Sequence, residues 1–283
     1  MKFTSFEKQV FNWILVAIGV VAVLSNSLLI HLARRLQHRT AELRLTVLLA
    51  SVDMAIPFLS IGSSLLNNWY DDKDRLQKFC QFKGPVDFIL QYFSFLLVVM
   101  IAMKRVSKVR EARIPAAVWA GICVYTSAFT SLVLMTAFRS EFFTSPSGVD
   151  CSPIAQTSAL SSTVVFGLGF SISIALLVTL FCYLNILSHV RETRSKVQLT
   201  HKRNPVFARV TGICLVYILF ISPCAILIMI ESIYKYNTLN QTSIVISIFM
   251  NLNSISNACI TLFAHSLIFD QLRQYRPFSK LPI

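Results

Sequence analysis

Long apolar runs alternate with short polar and basic segments along the whole chain. Seven such runs are recognised, and each is near or above the ~20 residues that an α-helix needs to cross a bilayer. They lie at approximately 10–33, 45–67, 80–103, 114–138, 160–187, 206–230 and 242–265. The pattern therefore predicts an all-α protein in which residues 1–283 form a single seven-transmembrane helix bundle.

The composition agrees with a protein that spans the membrane several times. Of the 283 residues, 55% are hydrophobic and only 14% are charged, whereas a soluble domain carries roughly a quarter charged residues. The first run could be mistaken for a signal peptide, because Lys2 and Lys8 precede it. It is longer than the roughly 7–15 residues of a signal-peptide core, and Arg34 and Arg35 follow it, so an uncleaved first span is favoured.

The net charge of +13 would suggest a nucleic-acid partner in a soluble protein. Here the basic residues lie in the gaps between apolar runs. With the N-terminus outside, 18 of the 26 Lys and Arg residues fall on the inner side, as the positive-inside rule requires. This predicts a multi-pass plasma-membrane protein with a cytosolic C-terminus, membrane lipids as partners and no nucleic acid.

Two features of the predicted outer side fit this topology. Cys80 opens the third run and Cys151 lies in the outer segment before the fifth. They are the two cysteines outside the presumed hydrocarbon, on the oxidising side, and are predicted to form a disulfide. Asn240 opens an N-glycosylation sequon, which is either used or a chance match near the membrane. The remaining cysteines, which show no metal-ligand spacing, are interpreted as small packing residues.

A short amphipathic segment follows the seventh run. Ile268, Leu272 and Tyr275 recur at helical spacing, with polar residues on the other face. The pattern predicts an interfacial helix over 266–276 on the inner side of the membrane.

Several motifs occur in a recognisable order. They are Asn26 in LSNSLL, Asp53 in LLASVD, the spacing from Cys80 to Arg105, Trp119, Tyr183, Pro223, and Asn253, Ser254 and Asn257 in NLNSISNA. Together they resemble the marks of the rhodopsin-like (class A) G protein-coupled receptors over essentially the whole chain. The resemblance implies a receptor that passes a signal from an extracellular ligand to a heterotrimeric G protein, and no enzymatic activity.

The chain also departs from the family pattern. The Asp/Glu-Arg-Tyr triplet of the family reads Lys104-Arg105-Val106, and the CWxP motif reads Phe220-Ile221-Ser222-Pro223. These changes indicate a divergent member, of the kind found among invertebrate orphan and chemosensory receptors.

The resemblance assigns a sodium site to a set of polar side chains in the bundle. A carboxylate such as Asp53 in mid-membrane costs about 2.5–3.5 kcal/mol on the insertion scale, so it needs partners. The resemblance supplies Ser94, Asn253, Ser254 and Asn257. The alternative is a hydrogen-bond network without an ion; no other cofactor is implied.

The resemblance also assigns a switch to Arg105, with Lys104, Tyr183 and Pro223 as associated residues. In the family this arginine enters the G protein cavity on activation and is held at rest by acids. Here its neighbour is Lys104, and the corresponding helix-6 stretch reads Lys202-Arg203. Without these acids to restrain Arg105, signalling in the absence of ligand would be raised. The alternative is that Lys104 and Arg105 only follow the positive-inside rule.

Asp87, seven residues after Cys80, is the candidate ligand contact, with Gln91 one turn deeper. The resemblance implies pairing with a basic group of a small molecule or peptide. Lys83 at i−4 is the internal alternative partner. Cys224 and Asn251 stand where aromatic residues would surround an ammonium group.

Other classes fit less well. An opsin would need a lysine in the seventh run, which has none. A seven-span transporter predicts similar halves, and Asp53 and Asp87 have no counterparts in the second half. A receptor-like protein that no longer couples to a G protein remains an alternative.

Overall fold

Seven helices lie over the seven apolar runs. The computed structural model describes residues 5–36, 40–69, 73–144, 151–153, 158–197, 205–234 and 240–264. The elements in order are α1 (Ser5–Arg35), α2 (Ala41–Trp69), α3 (Lys73–Val109), α4 (Ala116–Phe138), β1 (Phe142–Thr144), β2 (Cys151–Pro153), α5 (Ala159–Val197), α6 (Pro205–Tyr234) and α7 (Asn240–Ala264). The prediction of an all-α seven-helix bundle is confirmed.

Within these described ranges, six helices are long and apolar enough to cross a membrane, and α6 carries a shorter apolar run, Cys214–Ile230. Several helices extend beyond their apolar runs. The third run ends at 103, but α3 continues to Val109, and α5 continues to Val197. Backbone hydrogen bonding continues into the polar region, whereas the apolar run marks only the part that requires hydrocarbon.

α3 is the central helix of the bundle. It packs against α2, α4, α5 and both strands, while α1 packs against α2 and α7. Its middle section places Tyr92, Phe95 and Val98 in the main hydrophobic core. We call the end of the bundle with Cys80 the disulfide end and the opposite end, with Arg105, the arginine end.

A short β-hairpin covers the disulfide end of α3. β1 and β2 pair antiparallel, with Phe142 opposite Pro153 and Thr144 opposite Cys151. The apolar-run pattern did not predict it, because strands of three residues are too short to show a two-residue period. The predicted helix over 266–276 lies outside the described residues.

Candidate functional site

The disulfide predicted between Cys80 and Cys151 is present in the structure. It joins α3 to β2 with a Cα–Cα distance of 5.1 Å. Both cysteines are buried. The bond therefore fixes the hairpin to the end of the central helix.

Phe142 packs the hairpin against α3. Its side chain is fully buried, and its ring meets that of Phe88 edge to face, with the centroids 5.7 Å apart. Gln77 Nε2 donates a hydrogen bond to the Phe142 carbonyl oxygen at 2.8 Å. A Cβ at Gly84 would lie 2.3 Å from Phe142 Cδ1. Only glycine therefore lets the ring lie this close to the α3 backbone.

Glu141 joins the hairpin to the start of α5. Its Oε2 accepts hydrogen bonds from Ser158 Oγ and, at 2.5 Å, from Ser161 Oγ. Ser158 Oγ in turn accepts from Ser161 N at 3.0 Å, as in a helix N-cap. Desolvation raises the pKa of Glu141, but the two serine hydrogen bonds and the charge of Arg139 together lower it below its ordinary value. The carboxylate thus stays ionised where it orders the entry to α5.

Asp87, the candidate ligand contact, forms an ion pair inside the bundle. Lys83 Nζ lies 3.3 Å from Asp87 Oδ2 one helical turn away, and the two side chains are 1% and 4% exposed. The internal alternative noted from the i−4 spacing is therefore realised. A basic ligand group at this carboxylate would compete with Lys83.

The other candidate ligand residues line α3, α6 and α7. Gln91 is half-buried one turn below Asp87. Cys224 is buried and approaches the Ile246 carbonyl oxygen at 3.9 Å. Asn251 Nδ2 donates to the Ser247 carbonyl oxygen at 2.8 Å, and its buried Oδ1 has no hydrogen-bond partner among the described residues. Asn251 thus keeps one acceptor available.

Asp53 is fully buried in mid-bundle and joins three helices. Its Oδ1 accepts from Ser94 Oγ on α3 at 2.6 Å, and its Oδ2 accepts from Asn257 Nδ2 on α7 at 2.8 Å. The Asp53 carboxylate on α2 is thus held by one donor from α3 and one from α7. Three of the five residues predicted for this cluster are in direct contact.

The remaining two members, Asn253 and Ser254, are buried on α7. Asn26 Nδ2 donates to the Ser254 carbonyl oxygen at 3.2 Å, which joins α1 to α7. Ser254 Oγ and Asn253 Oδ1 are buried and have no hydrogen-bond partner within the described part of the chain. Hydroxyl and amide oxygens together with a carboxylate are the types of ligand that a hard cation requires. The donor set therefore fits a small monovalent cation such as sodium.

Arg105 is held from two sides at the arginine end. Its Nε donates to Glu42 Oε1 on α2 at 2.7 Å, and its Nη1 donates to Tyr183 Oη on α5 at 2.8 Å. The Arg105 and Glu42 side chains are 16% and 21% exposed. The expectation that Arg105 lacks an acidic restraint is therefore wrong: the acid comes from α2 instead of from the neighbouring position on α3.

Lys104 points away from Arg105. It is exposed, and its Nζ lies 5.5 Å from the centre of the Trp119 ring in the first turn of α4. A cation–π contact of this kind stabilises the Lys104 ammonium group away from the Arg105 guanidinium. Pro223, the other predicted switch residue, lies inside α6 and is half-buried.

The motifs of the sequence did not predict Glu42 as the partner of Arg105. One signal was available, because Glu42 lies in the segment between Arg39 and Arg44, which is otherwise basic. A carboxylate close to several arginines is a candidate for an ion pair. Helix packing determines which arginine that partner is, and the pattern along the chain does not contain that information.

Comparison with known proteins bears on this arrangement. A search of curated proteins finds no match to the chain. The family described as "7 transmembrane receptor (rhodopsin family)" matches residues 25–261, which is more than half of the chain and includes Asn26, Asp53, Arg105 and Asn257. The chain therefore belongs to the rhodopsin family of seven-transmembrane receptors and is a membrane receptor, not an enzyme.

Proposed function

We propose that this receptor binds an extracellular ligand at the disulfide end and activates a heterotrimeric G protein at the arginine end. In the proposed topology the N-terminus and the hairpin are outside, and the C-terminus is cytosolic. The distribution of Lys and Arg supports this orientation, and a sugar at Asn240, the first residue of α7, would be on the outer side.

The observation that carries the proposal is the set of contacts of Arg105. Its guanidinium bridges α2 and α5 at the end of the central helix. A partly buried arginine that two helices hold by separate hydrogen bonds can be released by a change in their spacing. That is the kind of element whose equilibrium a ligand can shift.

We further propose that Asp53, Ser94, Asn253, Ser254 and Asn257 bind a sodium ion. The unmatched oxygens of Asn253 and Ser254 support an ion in preference to a network closed by side chains alone. These residues would supply the oxygen ligands, and the ion would neutralise the Asp53 carboxylate. No other cofactor is proposed.

For the ligand, we propose a small molecule or peptide with a basic group that competes with Lys83 for Asp87. Asn251 supports a polar contact on α7, because its Oδ1 is buried and unmatched. Gln91 and Cys224 would line the same region from α3 and α6. The Lys83–Asp87 pair sets the condition: the ligand must supply a cation at least as well placed as Lys83 Nζ.

The test of the proposed function is G protein activation in cells that express this chain. Wild type should activate at least one G protein class above the level of mock-transfected cells, with or without a basic ligand from a screen. Arg105→Ala should abolish that signal at equal surface expression. Arg110→Ala, which removes an exposed arginine from the same end, is the matched control and should keep it.

If Arg105→Ala and wild type give the same output with every G protein class, coupling through this arginine is refuted. That result would favour a receptor-like protein that no longer couples. Substrate accumulation that depends on the chain would instead favour a transporter.

A further inference from the structure

A cavity of about 410 Å³ lies between α3, α4 and α5, apart from the polar residues of the candidate site. Its volume is within the roughly 300–1,000 Å³ typical of ligand cavities. Its lining includes Phe95, Met103, Val118, Ile122, Phe170 and Ile174. Val118, Phe170 and Ile174 are exposed, so the cavity is open to the surface that faces lipid in a membrane protein.

The cavity has the length of one lipid leaflet. Along α3 its lining runs from Tyr92 to Met103, which is about 16 Å at a rise of about 1.5 Å per residue. Half of the hydrocarbon core of a bilayer is about 15 Å. Met103 directly precedes Lys104, so the cavity runs from the arginine end to the middle of the membrane.

The polar groups at the deep end of the cavity are already hydrogen bonded. Tyr125 Oη lies 2.8 Å from Ser171 Oγ, and Tyr92 Oη lies 2.9 Å from Thr126 Oγ1. The rest of the lining is almost entirely apolar. An apolar cavity of this kind does not hold water, and in a membrane the occupant of matching chemistry is a hydrocarbon chain.

The mouth of the cavity carries positive charge. Lys104 and Trp119, the neighbours of Met103 and Val118, are in contact there. The exposed basic residues of this mouth and of the turn between α3 and α4 are Lys104, Lys108, Arg110 and Arg113. Glu111 is the one acid in that stretch. Basic residues beside a leaflet attract anionic headgroups.

We propose that this cavity binds an anionic phospholipid of the leaflet at the arginine end. One acyl chain lies between α3, α4 and α5, and the headgroup phosphate contacts Lys104. In the proposed orientation this is the cytosolic leaflet, where anionic lipids are enriched. The site requires neither the extracellular ligand nor the G protein.

Trp119 provides a local probe of the site. The full chain with Trp13→Phe and Trp69→Phe retains one tryptophan and is reconstituted in nanodiscs of mixed lipids. Phosphatidylserine or phosphatidylcholine with brominated acyl chains is then added at equal mole fractions. Brominated phosphatidylserine should quench Trp119 with a preference of about fivefold, which corresponds to ~1 kcal/mol from Lys104, the one basic residue proposed to contact the headgroup.

Gly121 allows the cavity to be filled without disturbing the bundle. It lines the cavity, and a Cβ there would have no heavy atom within 4 Å. Gly121→Leu should therefore reduce quenching by both lipids to the level of random lipid contact. Gly212→Leu on α6, where a Cβ also has open space, is the matched control and should leave quenching unchanged.

Lys104→Gln distinguishes the contribution of the lipid headgroup from that of the acyl chain. It should reduce the preference for phosphatidylserine to about one while quenching by phosphatidylcholine persists. The fluorescence of each variant in brominated lipid is divided by its fluorescence in unbrominated lipid, because the substitution changes the surroundings of Trp119.

Equal quenching by the two lipids in the parent protein would overturn the proposal. So would a preference that survives Gly121→Leu. If Gly121→Leu does not fold, Val118→Phe at the exposed edge of the cavity is the second filling variant. A preference for phosphatidylserine that survives Val118→Phe would also overturn the proposal.

Discussion

Glu42 on α2 accepts a hydrogen bond from Arg105 on α3 at 2.7 Å, across 63 positions of the sequence. For Arg105 to engage a partner at this end of the bundle, its guanidinium must leave Glu42. The pair therefore stabilises the disengaged position of the arginine. Tyr183 alone, a neutral acceptor, would hold the guanidinium less strongly.

The first prediction follows from this restraint. Glu42→Gln keeps the side-chain volume and removes the charge, so it should increase ligand-independent G protein activation. A loss of about 1 kcal/mol corresponds to roughly a fivefold shift in a two-state equilibrium. The measurement is basal second-messenger output at matched surface expression.

The matched control is Glu111→Gln, which neutralises an exposed acid at the same end of the bundle. Its basal output should equal that of wild type. Adding Arg105→Ala to Glu42→Gln should eliminate the increase. An unchanged output in Glu42→Gln, or an equal increase in Glu111→Gln, contradicts the restraint.

The second prediction concerns sodium at Asp53. Sodium should raise the thermal stability of the purified receptor by a few degrees relative to choline at equal ionic strength, because an ion that binds only the folded state stabilises it. Asp53→Asn should abolish this increase. Ser64→Ala removes a buried, unmatched hydroxyl elsewhere on α2 and should preserve it. If Asp53→Asn responds to sodium as wild type does, the cluster is a hydrogen-bond network only.

The third prediction concerns the Lys83–Asp87 pair. Because both side chains are almost fully buried, Lys83→Met or Asp87→Leu alone breaks the buried ion pair and should cost about 3–5 kcal/mol. The double variant should recover most of that loss, as judged by expression and thermal unfolding in detergent. Two single variants as stable as wild type would mean that the charges do not depend on each other.

The same variants bear on the ligand. If a basic ligand displaces Lys83, Lys83→Met should strengthen its binding and Asp87→Leu should eliminate it. Binding of a basic ligand that is unaffected by Asp87→Leu would remove Asp87 from the site.

The fourth prediction concerns the contact between Gly84 and Phe142. Gly84→Ala places a methyl group where Phe142 now lies, so the hairpin must shift, at a cost of about 1–3 kcal/mol. Thermal stability should fall, and the Cys80–Cys151 disulfide should be reduced faster. Phe142→Leu in the same chain should restore part of the loss. Gly62→Ala on α2, where a Cβ has open space, should be neutral or slightly stabilising. Equal effects of the two alanines would contradict the contact.

The sequence predicts the bundle well because each span requires its own apolar run. It also predicts contacts within one helix, as for Lys83 and Asp87 at i and i+4, and resemblance to a family brings Asp53 together with Ser94 and Asn257. It does not predict Glu42 with Arg105 or Phe142 over Gly84. These contacts depend on how α2 and the hairpin pack against α3, and no local pattern encodes that packing.

Glu42 and its partner Arg105 lie on different helices. An acid at the preceding position of the same helix would move with Arg105, so that pair would survive any rigid displacement of α3. An acid on α2 does not move with it. The Glu42–Arg105 bond breaks when the two helices slide or separate by an ångström or so beyond hydrogen-bond length. In this receptor the Glu42–Arg105 bond therefore depends on the distance between α2 and α3, and any ligand, ion or mutation that changes that distance would act on the proposed switch.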